Sequence, residues 1–317
     1  MMSVTGAPTR LDETAKGVFV ISATPFSDSG ELDLASAERL TDFYLERGAS
    51  GLTLLGMMGE APKLSSEESH RFLTTVLQRV SGRVPVVVGV SSAGLSNLVH
   101  LAHDAMEAGA AGVMVAPMPS LKTEEQIIGY FRSVCQALGP DVPVVLQDFP
   151  LSLNVYLSVA TIEQIATELP QVVMLKHEDW PGLSKLSRLR RNQSERGSRR
   201  LSILVGNGGL FLPQELTRGA DGAMTGFAYP EMLVDVCKRH EAGDKDGAED
   251  IFDAYLPLIR HETQPGLGLA VRKEILKRRG AIASAHVRAP GPKLDAIDQA
   301  ELTVLMTRLE RRLAQIR

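Results

Sequence analysis

Short apolar runs alternate with longer amphipathic segments from residue 17 to about residue 241. The runs 17–23, 51–55, 84–90, 112–116, 142–147, 172–175, 201–205 and 222–225 are bounded mostly by glycine and proline, the pattern of buried strands. Between them the apolar positions recur every three or four residues. Leu34, Ala37, Leu40 and Tyr44 predict a helix over 33–47. Ser65 with Glu68 and Thr123 with Gln126 have capping-box spacing, which predicts two further helix starts. Helices are also expected over 96–108 and 159–168 and around Leu183, Leu186 and Leu189. Eight strand–helix repeats without a hairpin signal imply a parallel sheet, and that number favours a closed α/β barrel, (β/α)8, over an open doubly wound sheet. Beyond residue 242 the pattern is helical only. The expected organisation is a polar, loosely held tail over 1–14, a TIM barrel over 15–241 and a C-terminal helical extension over 242–317.

In such a barrel, chemistry collects where strands end and helices begin. That rule selects Thr24, the stretch from Gly56 to Glu60, Pro117 to Pro119, Gln147, Asp148, Lys176, Glu178, the stretch from Gly206 to Gly209, and Thr225. Lys176 stands out because it directly ends the run Val172-Val173-Met174-Leu175. Burial disfavours the charged form of a lysine and makes its amine a better nucleophile. The plain alternative is a lysine that caps a strand and points into water. Side chains alternate along a strand, so Lys176 and Glu178 share one face and His177 takes the other. By the same rule Asp148 faces away from a pocket that Gln147 faces. Gly56-Met57-Met58-Gly59 can bring backbone N–H groups close to a small carboxylate. It also reads as an ordinary glycine turn, with Met57 and Met58 giving an apolar wall. Glu60 is either a site carboxylate or a hydrogen-bonding residue closing that loop.

Composition removes several alternatives. Of 317 residues, 44% are hydrophobic and 23% charged, and the formal net charge is -4, so nothing global points to nucleic acid or an anionic membrane. The arginine-rich stretch 188–200 lies on the helix-to-strand side of its repeat and reads as a solvated surface loop. Cys135 and Cys237 form no metal-ligand pattern and no disulfide framework, which suits buried, inert thiols in a reducing, cytoplasmic setting. No apolar run approaches membrane-spanning length, and the N-terminus lacks a signal pattern.

Taken together, Thr24-Pro25-Phe26, Gly56-x-x-Gly59-Glu60 followed by Leu64 and Glu67, a proline after the fifth strand, the sixth-strand lysine and the glycine-rich turn after the seventh strand resemble the dihydrodipicolinate synthase / N-acetylneuraminate lyase family. The resemblance covers about 17–240 and implies a cofactor-free, metal-free (β/α)8 lyase that assembles as a homodimer or homotetramer. It implies a Schiff base between Lys176 and a small-molecule 2-oxo acid. It also implies carboxylate binding at Gly56, Met57, Met58, Gly59 and Glu60, with Asn207, Gly208 and Thr225 completing the pocket. Where the family carries two hydroxyl residues this chain has Met57 and Met58, and where the family carries Tyr-Asn it has Gln147-Asp148. The family arginine shortly after the fifth strand is absent from 151–155. The usual tyrosine proton shuttle is therefore missing, and with it the case for dihydrodipicolinate synthesis. These features resemble a divergent branch of 2-keto-3-deoxy sugar acid dehydratases, such as 2-keto-3-deoxyarabonate dehydratase. Glu178 then becomes the first candidate for proton transfer beside Lys176, with Asp148 and Glu60 behind it, while Gln147 can only donate or accept hydrogen bonds. A pyruvate-dependent aldolase and a catalytically silent carboxylate-binding barrel are the competing readings.

Overall fold

The apolar runs pair in chain order, each parallel to the next, and the eighth returns to the first, closing a barrel. The computed structural model describes residues 10–316. Its strands are β1 (Gly17–Ile21), β2 (Gly51–Leu54), β3 (Val86–Gly89), β4 (Gly112–Val115), β5 (Val144–Asp148), β6 (Val172–His177), β7 (Ser202–Val205) and β8 (Gly222–Thr225). Alternation along each strand builds two apolar layers. Phe19, Ile21, Val87, Met114, Val145, Met174, Leu204 and Met224 fill the interior. Their neighbours Val20, Leu54, Val88, Val113, Leu146, Leu175 and Ile203 pack outward against the helices.

Around the barrel run α1 (Leu34–Glu46), α2 (Ser66–Val80), α3 (Leu95–Glu107), α4 (Glu124–Leu138), the single turn α5 (Pro150–Leu153), α6 (Val159–Glu168), α7 (Gly182–Glu195), α8 (Leu212–Thr217) and α9 (Pro230–Glu241). Asp33 caps α1 by accepting from the Ser36 N–H. Both capping boxes form, at Ser65 with Glu68 and at Thr123 with Gln126. The periodic pattern did not reveal α5, because a four-residue turn is too short to have a period.

The extension consists of α10 (Lys245–Glu262), α11 (Gly268–Arg278) and α12 (Ala296–Ile316). It does more than lie outside the barrel. Arg272 of α11 is fully buried and donates to the Ile21 carbonyl at the end of β1. Lys273, next to it, reaches Glu60 in the loop after β2. The extension therefore fastens the end of the barrel where the strands finish.

Two expectations about the opposite end need correcting. The tail expected over 1–14 falls mostly outside the described residues, but its last part is held. The Leu11 N–H donates to the Ala111 carbonyl at 2.9 Å, and the Leu11 side chain joins the interior cluster. A leucine stoppers that end of the barrel because an open apolar interior would otherwise meet water. The stretch 188–200 is largely exposed, as expected, but only its end is a loop. The helix continues to Glu195. Arg199 then donates to the carbonyls of Ala166, Val172 and Pro170, while Arg190 and Arg200 share the Asp221 carboxylate. The Arg199 fork ties the last turn of α6, the turn after it and the start of β6 together.

Burial pushes both thiols, Cys135 and Cys237, up to about 12. Among the described residues no helix is long and apolar enough to cross a membrane.

Candidate active site

Lys176 faces the barrel interior because its strand is irregular. Val172 belongs to the outer layer, Val173 and Met174 both belong to the inner one, and Leu175 is outer again. The register with β5 slips at the same place: Val144 pairs with Val172, but Val145 pairs with Met174. This is a bulge, an extra residue that resets the alternation. After it, Gln147 pairs with Lys176 and Asp148 with His177. Gln147 and Lys176 follow the inward residues Val145 and Met174 by two places and point inward. Asp148 and His177 point outward.

The inward pair meets Glu178. Its Oε2 lies 3.0 Å from Lys176 Nζ and accepts from Gln147 Nε2 at 2.8 Å. The Lys176 and Glu178 side chains are only 4% and 7% exposed, so neither charge has bulk water to fall back on. The Glu178 backbone is fixed on both sides. Its N–H donates to the Asp148 carbonyl at 2.9 Å, and its carbonyl accepts from Asn207 Nδ2 at 3.2 Å. Gly206 leaves the space that the carboxylate occupies: a Cβ there would sit 2.3 Å from Glu178 Cγ. Gly206→Ala is therefore expected to push Glu178 off Lys176, lowering stability by about 1–3 kcal/mol as overpacking does. Urea unfolding checks this, and a fully stable Gly206→Ala protein would contradict the tight fit.

The glycine-rich turns behave differently from each other. Met57–Gly59 form one 3₁₀ turn, in which Gly59 and Glu60 donate back to Gly56 and Met57. The Met57 and Met58 N–H groups are left as the turn's unspent donors. Thr24 Oγ1 donates to the Gly59 carbonyl at 2.6 Å and holds the turn down. Met58 packs on the interior cluster, while Met57 Sδ accepts from Ser152 Oγ at 3.6 Å. The turn after β7 is tied by the Gly208 N–H donating to Thr225 Oγ1 at 2.8 Å. Asn207, Gly208 and Thr225 are thus spent partly on one another and on Glu178.

Glu60 is not free for a substrate. It sits at φ 56°, and its buried carboxylate takes Lys63 Nζ at 2.9 Å, the Arg288 N–H at 3.0 Å and Lys273 Nζ. A buried carboxylate needs that many donors, and the extension supplies two of them. Glu60 anchors the loop after β2, the second of the two roles expected for it, and its carboxylate is not offered to a substrate as the first role required.

Gly56, Met57, Met114, Ala116, Gln147 and Leu153 line one cleft of about 480 Å³. The structure thus brings Gly56, Met57 and Gln147 to a shared space and joins Gln147 to Lys176 through Glu178. The sequence reading missed Gly206 as the residue that admits Glu178, Leu153 of α5 as a wall, and Lys185. The first lay within the glycine run already selected; the other two carry no local signal.

Behind the strands lies a second ionisable group. Lys185 of α7 reaches Asp148 Oδ2 at 2.6 Å and Asp179 Oδ2 at 3.0 Å. His177 Nε2 meets the Gly182 carbonyl at 3.0 Å. Glu215 of α8 is buried nearby, and burial pushes it up to about 7 while His177 pulls it down. A carboxyl raised from 4.5 to about 7 contributes stability that is fully present below about pH 4.5 and lost as pH rises through 7. The size is on the order of 3 kcal/mol. Glu262, raised by burial to about 8, has the same sign. Stability is expected to fall between pH 5 and 7.5, and to fall less in Glu215→Gln; chemical denaturation at the two pH values measures both slopes, and equal slopes would refute the assignment.

The dihydrodipicolinate synthetase family model matches residues 14–309. The chain belongs to that family. Its members are lyases, and this chain is a lyase of that family. Among its family relatives, L-2-keto-3-deoxyarabonate dehydratase of Azospirillum brasilense is 33% identical over 299 residues, which is 93% of this chain and 94% of that one. Among solved family structures, a dihydrodipicolinate synthase from Rhodopseudomonas palustris superposes with a TM-score of 0.93 at 51% identity, covering 95% of this chain and 99% of that one. A prophage protein of the dihydrodipicolinic acid synthase family from E. coli K12, solved in complex with pyruvate, superposes at 0.84 with 26% identity, covering 93% and 98%.

Proposed function

We propose that this chain dehydrates a 2-keto-3-deoxy sugar acid of the arabonate type through a Schiff base on Lys176. The observation that carries the reading is the single Glu178 oxygen shared by Lys176 and Gln147. It sets a carboxylate beside the amine in a chain that has Gln147 where the family carries tyrosine, and Gln147 joins that carboxylate to a cleft walled by Met57. The dehydratase name of the Azospirillum brasilense relative supports the reaction, and the pyruvate bound by the E. coli K12 protein supports a 2-oxo acid ligand.

Glu178 accepts a proton from the Lys176 ammonium and frees the amine. The amine attacks C2 of the 2-oxo acid, Glu178 returns its proton to the departing carbonyl oxygen, water leaves, and a protonated imine and a free Glu178 carboxylate remain. The imine draws electrons from C3, so a C3 proton passes to Glu178 and an enamine forms. The enamine electrons then expel the C4 hydroxyl, which takes the proton from Glu178 and departs as water. Gln147 has no acid or base function; its amide holds the carboxylate in place. The unspent Met57 and Met58 N–H groups take the substrate carboxylate.

The test is to incubate the protein with pyruvate or with a 2-keto-3-deoxy pentonate, reduce with borohydride and locate the adduct by mass. An adduct on Lys176 with release of a semialdehyde supports the proposal. Release of pyruvate makes the chain an aldolase. No adduct with a broad 2-oxo acid panel, together with ligand-induced stabilisation that survives Lys176→Ala, makes it a silent barrel.

A homo-oligomer belongs to the same reading, and light scattering measures it directly.

A further inference from the structure

The front and back of β5 and β6 carry matched pairs. In front, Gln147 and Glu178 are hydrogen-bonded at 2.8 Å. Behind, Lys185 holds Asp148 Oδ2 at 2.6 Å and Asp179 Oδ2 at 3.0 Å. Asp148 is the residue after Gln147, and Asp179 is the residue after Glu178. One ammonium on α7 therefore grips the chain one place beyond each partner of the front bond. Asp148 is fully buried and Lys185 nearly so, so this grip is not loosened by water. The Glu178 N–H donating to the Asp148 carbonyl at 2.9 Å joins the same two segments between front and back.

We infer that Lys185 is a positioning residue: by bridging Asp148 and Asp179 it sets the distance between Gln147 and Glu178, and so holds the Glu178 carboxylate on Lys176. The inference rests on the Schiff-base reading for its kinetic consequence, though not for its geometry. Glu178 stands beyond the end of β6, which finishes at His177, so the strand ladder alone fixes it weakly. Lys185 supplies the missing constraint from outside the barrel, using a helix that never enters the pocket. Asp148, which sequence alternation turns away from substrate, thereby acquires a role in the site.

The experiment follows borohydride trapping of pyruvate on Lys176 as a function of pyruvate concentration. In Lys185→Met the limiting rate is expected to fall at least about tenfold, with half-saturation changed less than about twofold, because the carboxylate moves and the carboxylate loop does not. Asp179→Asn, at a more exposed position, is expected to shift the same way by a smaller factor. Lys185→Arg, which keeps a cation between both carboxylates, is expected to recover part of the rate. A general loss of packing would lower the unfolding temperature without separating the two kinetic parameters or responding to arginine. A folded Lys185→Met protein that traps at the wild-type limiting rate overturns the inference; should that variant not fold, a wild-type rate in Asp179→Asn overturns it. A wild-type protein that forms no adduct removes the Schiff-base reading instead. The positioning claim is then decided by a crystal structure of Asp179→Asn: Glu178 still within hydrogen-bond reach of both Lys176 and Gln147 overturns it, and a displaced carboxylate supports it.

Discussion

Lys176→Met is expected to lower turnover of the 2-keto-3-deoxy sugar acid on the order of 10⁴-fold or more, the scale on which removal of a covalent catalytic group acts. The borohydride adduct should vanish with it. Methionine keeps most of the aliphatic stem among Met174 and Leu204, so the barrel interior stays filled. What changes is the Glu178 carboxylate, which loses the ammonium 3.0 Å away and keeps only the Gln147 amide. Removing one partner of a buried pair costs about 3–5 kcal/mol, so circular dichroism must accompany the assay. A folded Lys176→Met protein with residual activity within tenfold of wild type would contradict the nucleophile assignment. The 2-oxo acid should still bind through its carboxylate, which makes loss of turnover with retained ligand-induced stabilisation the expected pattern.

Glu178→Gln should separate the steps that Lys176→Met abolishes together. The amide occupies the same space beside Gly206 and keeps a hydrogen-bonding oxygen, but it cannot accept or return a proton. Loss of a positioned acid–base group costs about 10²–10⁴-fold. The imine should still form with pyruvate, more slowly, whereas exchange of the pyruvate methyl protons with deuterated solvent should nearly stop. Nuclear magnetic resonance of pyruvate in heavy water reads the exchange directly. Exchange at the wild-type rate would move the proton-transfer role away from Glu178. Asp148 is a poor substitute on geometry: it is fully buried on the outer face and engaged by Lys185.

These expectations depend on how the inner face of the barrel is assembled, and only part of that was legible beforehand. The eight strands, the two capping boxes and the sites where strands end were readable because each has a local signature of period, cap or turn. Lys176 was readable because a lysine ending an apolar run is unusual in itself. Glu60 was legible as a loop residue with two possible roles, and its place in the sequence did not name its partners. Besides the nearby Lys63, its partners Lys273 and Arg288 lie more than two hundred residues along the chain, and no local rule reaches that far. The same holds for Leu11 against Ala111 and for the arginines near 200 against the carbonyls around 170.

The orientation of Lys176 marks the boundary between the two kinds of information. By itself the sequence determined that a lysine ends the sixth strand, and that Glu178 stands two residues beyond it. Strict alternation from Val172, an outer-layer residue, would have turned that lysine out toward the helices. The bulge at Val173 turns it in, and the bulge arises from the register that β6 adopts against β5. Register is a property of two strands packed in a closed barrel, where every neighbour is already paired, so it cannot be read from one strand alone. The tertiary structure therefore decided which face Lys176 takes, and with it the company of Gln147 in front and of Asp148 and Lys185 behind.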